Sequence, residues 1–122
     1  MKRLFYFILF SVFVIIMQSC NKSTDLTVKQ VVIDTSIASG VQYTLNLRPY
    51  GNIATITKQA SSYATSEIVT NSRLSTLLYQ YSSLAKVAAA DKVVLEVSSG
   101  SRRNNNCNNS DSTVITINFT IK

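Results

Sequence analysis

The chain has 122 residues, with twelve basic and six acidic side chains and no histidine. Histidine is the commonest general base and metal ligand, and without it we expect no catalysis, no metal site and no cofactor. The basic residues are dispersed, and after residue 19 only Arg102 and Arg103 are adjacent. A nucleic-acid-binding surface would cluster basic residues among aromatic ones, so we exclude nucleic acid as a partner.

The first element of the chain is a hydrophobic segment. Lys2 and Arg3 precede residues 4–17, in which only Ser11 is polar. A transmembrane helix needs about 20 apolar residues, whereas about 7–15 are typical of the apolar part of a secretory signal. The pattern therefore predicts export, with a buried helix or an uncleaved anchor as the alternative.

The residues that follow this segment refine the prediction. The sequence Met17-Gln18-Ser19-Cys20 resembles the lipobox of bacterial lipoproteins, in which a small residue precedes a cysteine that becomes lipidated. The resemblance implies a signal peptide over 1–19, cleavage between Ser19 and Cys20, and a diacylglyceryl group on the Cys20 sulfur. Stable anchoring needs two acyl chains or more, and a diacylglyceryl cysteine, which is usually N-acylated as well, supplies them. We therefore expect the membrane to be a partner of this chain.

The residues just after Cys20 bear on location. Asn21 stands where an aspartate would resemble an inner-membrane retention signal, so the resemblance favours the outer membrane of a Gram-negative cell envelope. Residues 21–25 hold one acidic residue opposed by Lys22, which is unlike the acidic cluster of surface-exposed lipoproteins. We expect the periplasmic face.

Residues 20–27 form a polar tether, and residues 28–122 are of the size of one domain. Short runs rich in β-branched residues follow one another, several of them with alternating apolar and polar residues, which is typical of half-buried strands. The runs lie at 28–34, 41–48, 53–59, 66–70, 77–82, 92–98 and 113–121. This spacing predicts an all-β sandwich of about seven strands.

The segment 74–90 fits two structures. Its leucines and alanines have helical spacing, which would give one helix over the whole segment. Leu77, Tyr79 and Tyr81 also alternate as in a strand, which would leave a short helical or irregular connection within 84–90. We expect the strand and keep the helix as the alternative.

A second resemblance concerns the sandwich itself. Tyr79 and Tyr81, followed by Asp91 and Val93, are similar to the tyrosine strand and Asp-x-Val strand of cadherin-like or immunoglobulin-like repeats in bacterial envelope proteins. The resemblance implies an immunoglobulin-like antiparallel β-sandwich. The paired acidic motifs that bind calcium in cadherins are absent, so it implies no calcium.

One catalytic pattern has the right spacing. Ser83 and Lys86 match the S-x-x-K spacing in which a lysine activates a serine, but the companion S-D-N and K-T-G triplets are missing. The sequence therefore gives no candidate catalytic residue.

The second cysteine, Cys107, has no partner in the chain once Cys20 is lipidated. It lies in the polar segment 100–112, near Arg102 and Arg103, which would favour the thiolate. It is either an ordinary thiol without a role or one that forms an intermolecular disulfide, and with it a dimer, in an oxidising compartment.

Two functional hypotheses follow. The first is a non-catalytic binding or structural module that holds a protein or glycan near the membrane, through a strand edge or through segment 100–112. The second is a thiol-dependent assembly or redox protein that acts through Cys107.

Overall fold

The computed structural model describes residues 27–86, 88–100 and 111–122. These residues form seven strands in two sheets. The strands are β1 (Val28–Ile37), β2 (Tyr43–Asn46), β3 (Ile53–Lys58), β4 (Tyr63–Asn71), β5 (Thr76–Ser83), β6 (Ala89–Ser98) and β7 (Ser112–Ile121). The predicted all-β sandwich is confirmed, and each predicted run overlaps a strand.

The four-stranded sheet has the order β1-β7-β6-β3, and the three-stranded sheet has the order β2-β5-β4. Strands two to seven are arranged as in an immunoglobulin constant-type sandwich. In the constant-type sandwich the first strand belongs to the sheet that holds strands two, five and four. Here β1 lies in the other sheet, where it pairs in parallel with β7. The expectation of a wholly antiparallel sandwich is therefore wrong at this pair. The physical reason is that β1, by pairing with β7 along its whole length, covers a strand edge that β7 would otherwise expose.

The core lies between the sheets and is built from the alternation seen in the sequence. In β6 and β7 every second side chain is buried, and the outward residues between them are polar or only partly covered. Tyr81 of β5 stacks on Phe119 of β7, with ring centroids 3.9 Å apart and an interplanar angle of 9°. Tyr43 of β2 meets the same ring edge-on at 5.3 Å. Phe119 thus packs against two strands of the opposite sheet.

Segment 74–90 is not a helix in its described residues. The segment begins in the turn before β5, runs through β5, and ends in the first residues of β6, which begins at Ala89. Because β5 contains residues 77–82, the predicted strand there is confirmed. The residues at 84–86 and 88 form an irregular connection, so the short helix within 84–90 is wrong. The helix is unfavourable because it would turn Leu77, Tyr79 and Tyr81, which line the core as alternate residues, onto different faces.

The two ends of the sandwich differ in what they carry. We call one the entry end, because the chain enters there at Val28, which pairs with Ser112. The turns at 47–52 and 72–75 and the strand end at Ser98 lie at this end too. We call the other the far end, and it carries the connections at 38–42, 59–62 and 84–88 and the terminal Lys122.

Candidate functional site

Asp91, at the beginning of β6, has the most elaborate polar surroundings among the described residues. Its side chain points inward in phase with Val93, and the residue is 6% exposed. The carboxylate accepts five hydrogen bonds, and a carboxylate has about four lone-pair sites. The donors are the Ser61 amide (2.8 Å), the Ser61 hydroxyl (2.9 Å), the Ser62 amide (3.0 Å), the Tyr81 hydroxyl (2.8 Å) and the Lys92 amide (2.9 Å).

These contacts set the protonation state of Asp91. Burial raises the pKa of its carboxyl, since water no longer solvates the charge, but the hydrogen bonds from two serine amides, Tyr81 and the Lys92 amide outweigh that effect. The pKa is therefore lower than usual, and the side chain is ionised at neutral pH. In turn, burial first, then the hydrogen bond to Asp91, raises the pKa of Tyr81 to about 12.

A second hydroxyl network lies beside the first. The hydroxyls of Ser66 and Tyr79 are 2.7 Å apart, and the Ser66 hydroxyl also donates to the side-chain oxygen of Gln59. The Gln59 amide group donates to the Ser66 carbonyl at 3.1 Å. Burial raises the pKa of Tyr79 to about 12, so its hydroxyl stays neutral.

The two hydrogen-bond networks hold one connection of the chain in place. They fasten the connection 59–62, which carries the chain from β3 in one sheet to β4 in the other, onto β5 and β6. With every acceptor position engaged, the Asp91 carboxylate has no lone pair left to take a proton from a substrate. We interpret this centre as a structural clamp.

A shallow depression of about 560 Å³ lies next to this clamp on the outer face of the four-stranded sheet. Lys58 and Lys92 border it, together with the Asn118 amide, which donates to Asp34 at 2.7 Å. Its polar groups would suit a polar ligand such as a glycan. The Asp34 carboxylate that accepts from Asn118 lies close to the depression as well.

Most of the residues that the sequence singled out are not among those that the structure describes. Ser19, Cys20 and Cys107 are outside the described residues. The described residues that adjoin them in the sequence all lie at the entry end: Val28 follows the tether, and Gly100 and Asp111 flank the segment that contains Cys107.

The serine-lysine pattern does not form a site. The Ser83 hydroxyl is buried, accepts from the Ala85 amide at 2.9 Å and donates to the Ser62 carbonyl, while Lys86 is exposed. The hydroxyl is thus engaged by two backbone groups and by the Tyr81 side chain.

No group of three potential ligands that could hold a metal occurs in the described part of the chain. Within the same residues, no helix is long and apolar enough to cross a bilayer. No protein-family model, curated protein or solved structure matches this chain.

Proposed function

We propose that this chain is a lipoprotein of a bacterial cell envelope, anchored through lipid on Cys20 and carrying a non-catalytic binding or structural sandwich. We place it at the outer membrane, on the periplasmic face. The observation that carries the proposal is the position of Val28, which enters β1 at one end of the sandwich, eight residues after the lipobox cysteine. A polar tether of that length joins an anchor to a folded module without an intervening domain.

Lipid labelling tests the anchor. We expect labelled palmitate to enter the wild-type protein and the Cys107→Ser variant, and not the Cys20→Ser variant. The matched cysteine variant controls for acylation at the other cysteine of the chain. Label that persists in Cys20→Ser would contradict the proposal.

The edge of β1 supports a binding role. Backbone groups at a free strand edge can pair with another chain, and proteins protect such edges with short strands, bulges or charges. Of the four sheet edges in the described residues, β2 has only four residues, and β3 and β4 carry register shifts. By contrast, β1 keeps a continuous register over ten residues, and Val32 near its middle is 64% exposed.

Cross-linking in intact envelopes tests that edge. A Val32→Lys substitution places a charge on the β1 edge and should abolish partner cross-links. The control is Thr55→Lys on β3, an exposed position at the opposite edge of the same sheet. Equal cross-linking in both variants would exclude the β1 edge as the binding surface.

The alternative, assembly through Cys107, has one supporting observation. Gly100 and Asp111, which flank the cysteine segment, lie at the entry end beside Val28. Two copies anchored in one bilayer would therefore carry these flanks at the same height, which would favour a disulfide between them.

A further inference from the structure

The entry end differs from the far end in how close it comes to the membrane, if the proposed anchor on Cys20 is correct. Residues 20–27 can span at most about 28 Å, because an extended chain covers about 3.5 Å per residue. The ten-residue strand β1 adds about 30 Å between the entry end and the far end. The tether leaves the sandwich at the entry end and is no longer than the sandwich itself, so the anchor holds the entry end within about 28 Å of the bilayer.

The exposed side chains of the entry end suit an anionic lipid surface. Leu74, in the turn between β4 and β5, is 71% exposed, and Ile53 at the start of β3 is 56% exposed. Three basic residues at this end are exposed. Arg73 precedes Leu74 in the same turn, Arg48 is hydrogen-bonded to that turn through the Ser75 carbonyl, and Lys29 lies on β1, at the edge of the four-stranded sheet opposite Ile53. Among the described residues, Asp111 is the one carboxylate at the rim of this end, so positive charge predominates there.

The turn that carries Leu74 is held in place. The Asn71 side-chain oxygen accepts hydrogen bonds from the amides of Arg73 (3.0 Å) and Leu74 (3.2 Å). Arg48 donates from Nε to the Ser75 carbonyl at 2.6 Å, which ties the turn to the neighbouring sheet connection.

The guanidinium of Arg48 also donates to the Asn52 side-chain oxygen at 2.6 Å, and Asn52 in turn donates to the Ser99 carbonyl. This chain of bonds links both sheets at the entry end. A leucine fixed in solvent gains nothing from its exposure in the free domain, whereas next to a bilayer the same leucine would bury its side chain.

From these observations we propose that the entry end is a membrane-contact surface for anionic phospholipid. Leu74 enters the headgroup region, and Lys29 and Arg73 contact lipid phosphates. Exposure and charge alone do not select this end, since Leu84 at the far end is 66% exposed and lies near Lys86. The reach of the tether and the fixed turn select it.

Single-tryptophan fluorescence tests the proposal, because the chain contains no tryptophan. The mature lipidated protein is reconstituted into vesicles of phosphatidylethanolamine and phosphatidylglycerol with brominated acyl chains, which quench nearby tryptophan. The Leu74→Trp variant reports on the entry end. The Leu84→Trp variant is the matched control, since both leucines are exposed turn residues at opposite ends.

We expect Leu74→Trp to lose about half or more of its fluorescence, because interfacial side chains lie about 5–10 Å into the headgroup and acyl boundary. Leu84→Trp, about 30 Å away, should lose less than about a tenth. Adding Arg73→Glu to Leu74→Trp should reduce the quenching, since each cation near an anionic surface contributes about fivefold to its affinity.

Sedimentation of the same vesicles separates the two proposals. If the protein sediments with the vesicles but the two variants are quenched equally, the contact surface is wrong and the anchor stands. Stronger quenching of Leu84→Trp than of Leu74→Trp would also overturn the contact surface without affecting the anchor. If the protein remains in the supernatant, both the anchor and the contact surface are wrong.

Discussion

Replacing Tyr81 with phenylalanine would remove a hydroxyl that is hydrogen-bonded to the buried Asp91 carboxylate and to the Ser83 side chain, and would retain the aromatic ring. The Tyr81 hydroxyl donates to Asp91 at 2.8 Å, while its ring stacks on Phe119, a contact that phenylalanine retains. Hydrogen bonds to charged groups contribute about 1.5–3 kcal/mol each. Asp91 keeps its other donors in the variant, so we expect a loss of about 2 kcal/mol in the free energy of unfolding.

Thermal unfolding of the detergent-solubilised protein, followed by circular dichroism, measures this loss. For a domain of this size each 1 kcal/mol lowers the midpoint by about 4–8 °C, so Tyr81→Phe should unfold about 8–16 °C below the wild type. Tyr79→Phe removes a hydrogen bond between neutral hydroxyls, so about half that shift is expected.

Tyr63→Phe is the blank control, because Tyr63 is at the surface and makes no side-chain hydrogen bond within the described residues. It should stay within about 0.5 kcal/mol of the wild type. If Tyr81→Phe behaves like Tyr63→Phe, the clamp does not stabilise the fold, and our interpretation of Asp91 fails.

Three further predictions use other parts of the molecule. Because the pKa of Asp91 is lower in the folded protein, the ionised side chain stabilises the fold fully above the unfolded pKa of about 3.9, and this stabilisation is lost as pH falls through the folded pKa. Urea unfolding at several pH values should show that Asp91→Asn lacks this part of the acid destabilisation. A variant whose free energy of unfolding depends on pH as the wild type's does would contradict the prediction. A Cβ at Gly51 would lie 2.6 Å from the Ser98 carbonyl carbon, so Gly51→Ala should cost about 2–3 kcal/mol by urea unfolding. Gly40→Ala meets no atom but has φ +75°, and should cost only about 1 kcal/mol; equal losses would refute the steric reasoning. If the alternative, assembly through Cys107, is correct, non-reducing electrophoresis of envelopes shows a dimer that Cys107→Ser removes, and only monomer in the wild type would exclude the disulfide.

The strands could be predicted because alternate residues of this chain are buried. Leu77, Tyr79 and Tyr81 have the period of a strand, and all three are in the core. Leu74 and Leu84, which fit the helical pattern only, are both exposed. Where the sequence fitted both a helix and a strand, the strand is formed because it buries the large aromatic side chains.

The position of β1 could not be predicted in the same way. The alternation of a strand indicates which face is buried but not which strand it pairs with. Val31, Ile33 and Ile37 pack against the core from β1, and they would do so on either sheet. The parallel pairing with β7 depends on contacts between residues that are more than eighty positions apart.

The Asp91 clamp was missed although the sequence contains a signal for it. Asp91 is in phase with Val93, Leu95 and Val97, so an inward-facing strand pattern places a carboxylate in the core. A buried carboxylate requires several donors. The sequence could not identify those donors, because Ser61 and Ser62 come from a connection thirty residues away.

The lipid on Cys20 is the central claim, since the location, the orientation on the membrane and the module's proposed role all depend on it. Intact-mass spectrometry of the protein purified from its native host tests it directly. We predict a chain that begins at Cys20 and carries the added mass of a diacylglyceryl group, with or without an N-acyl chain. A chain that retains Met1, or one that begins at Cys20 with an unmodified thiol, would contradict the account.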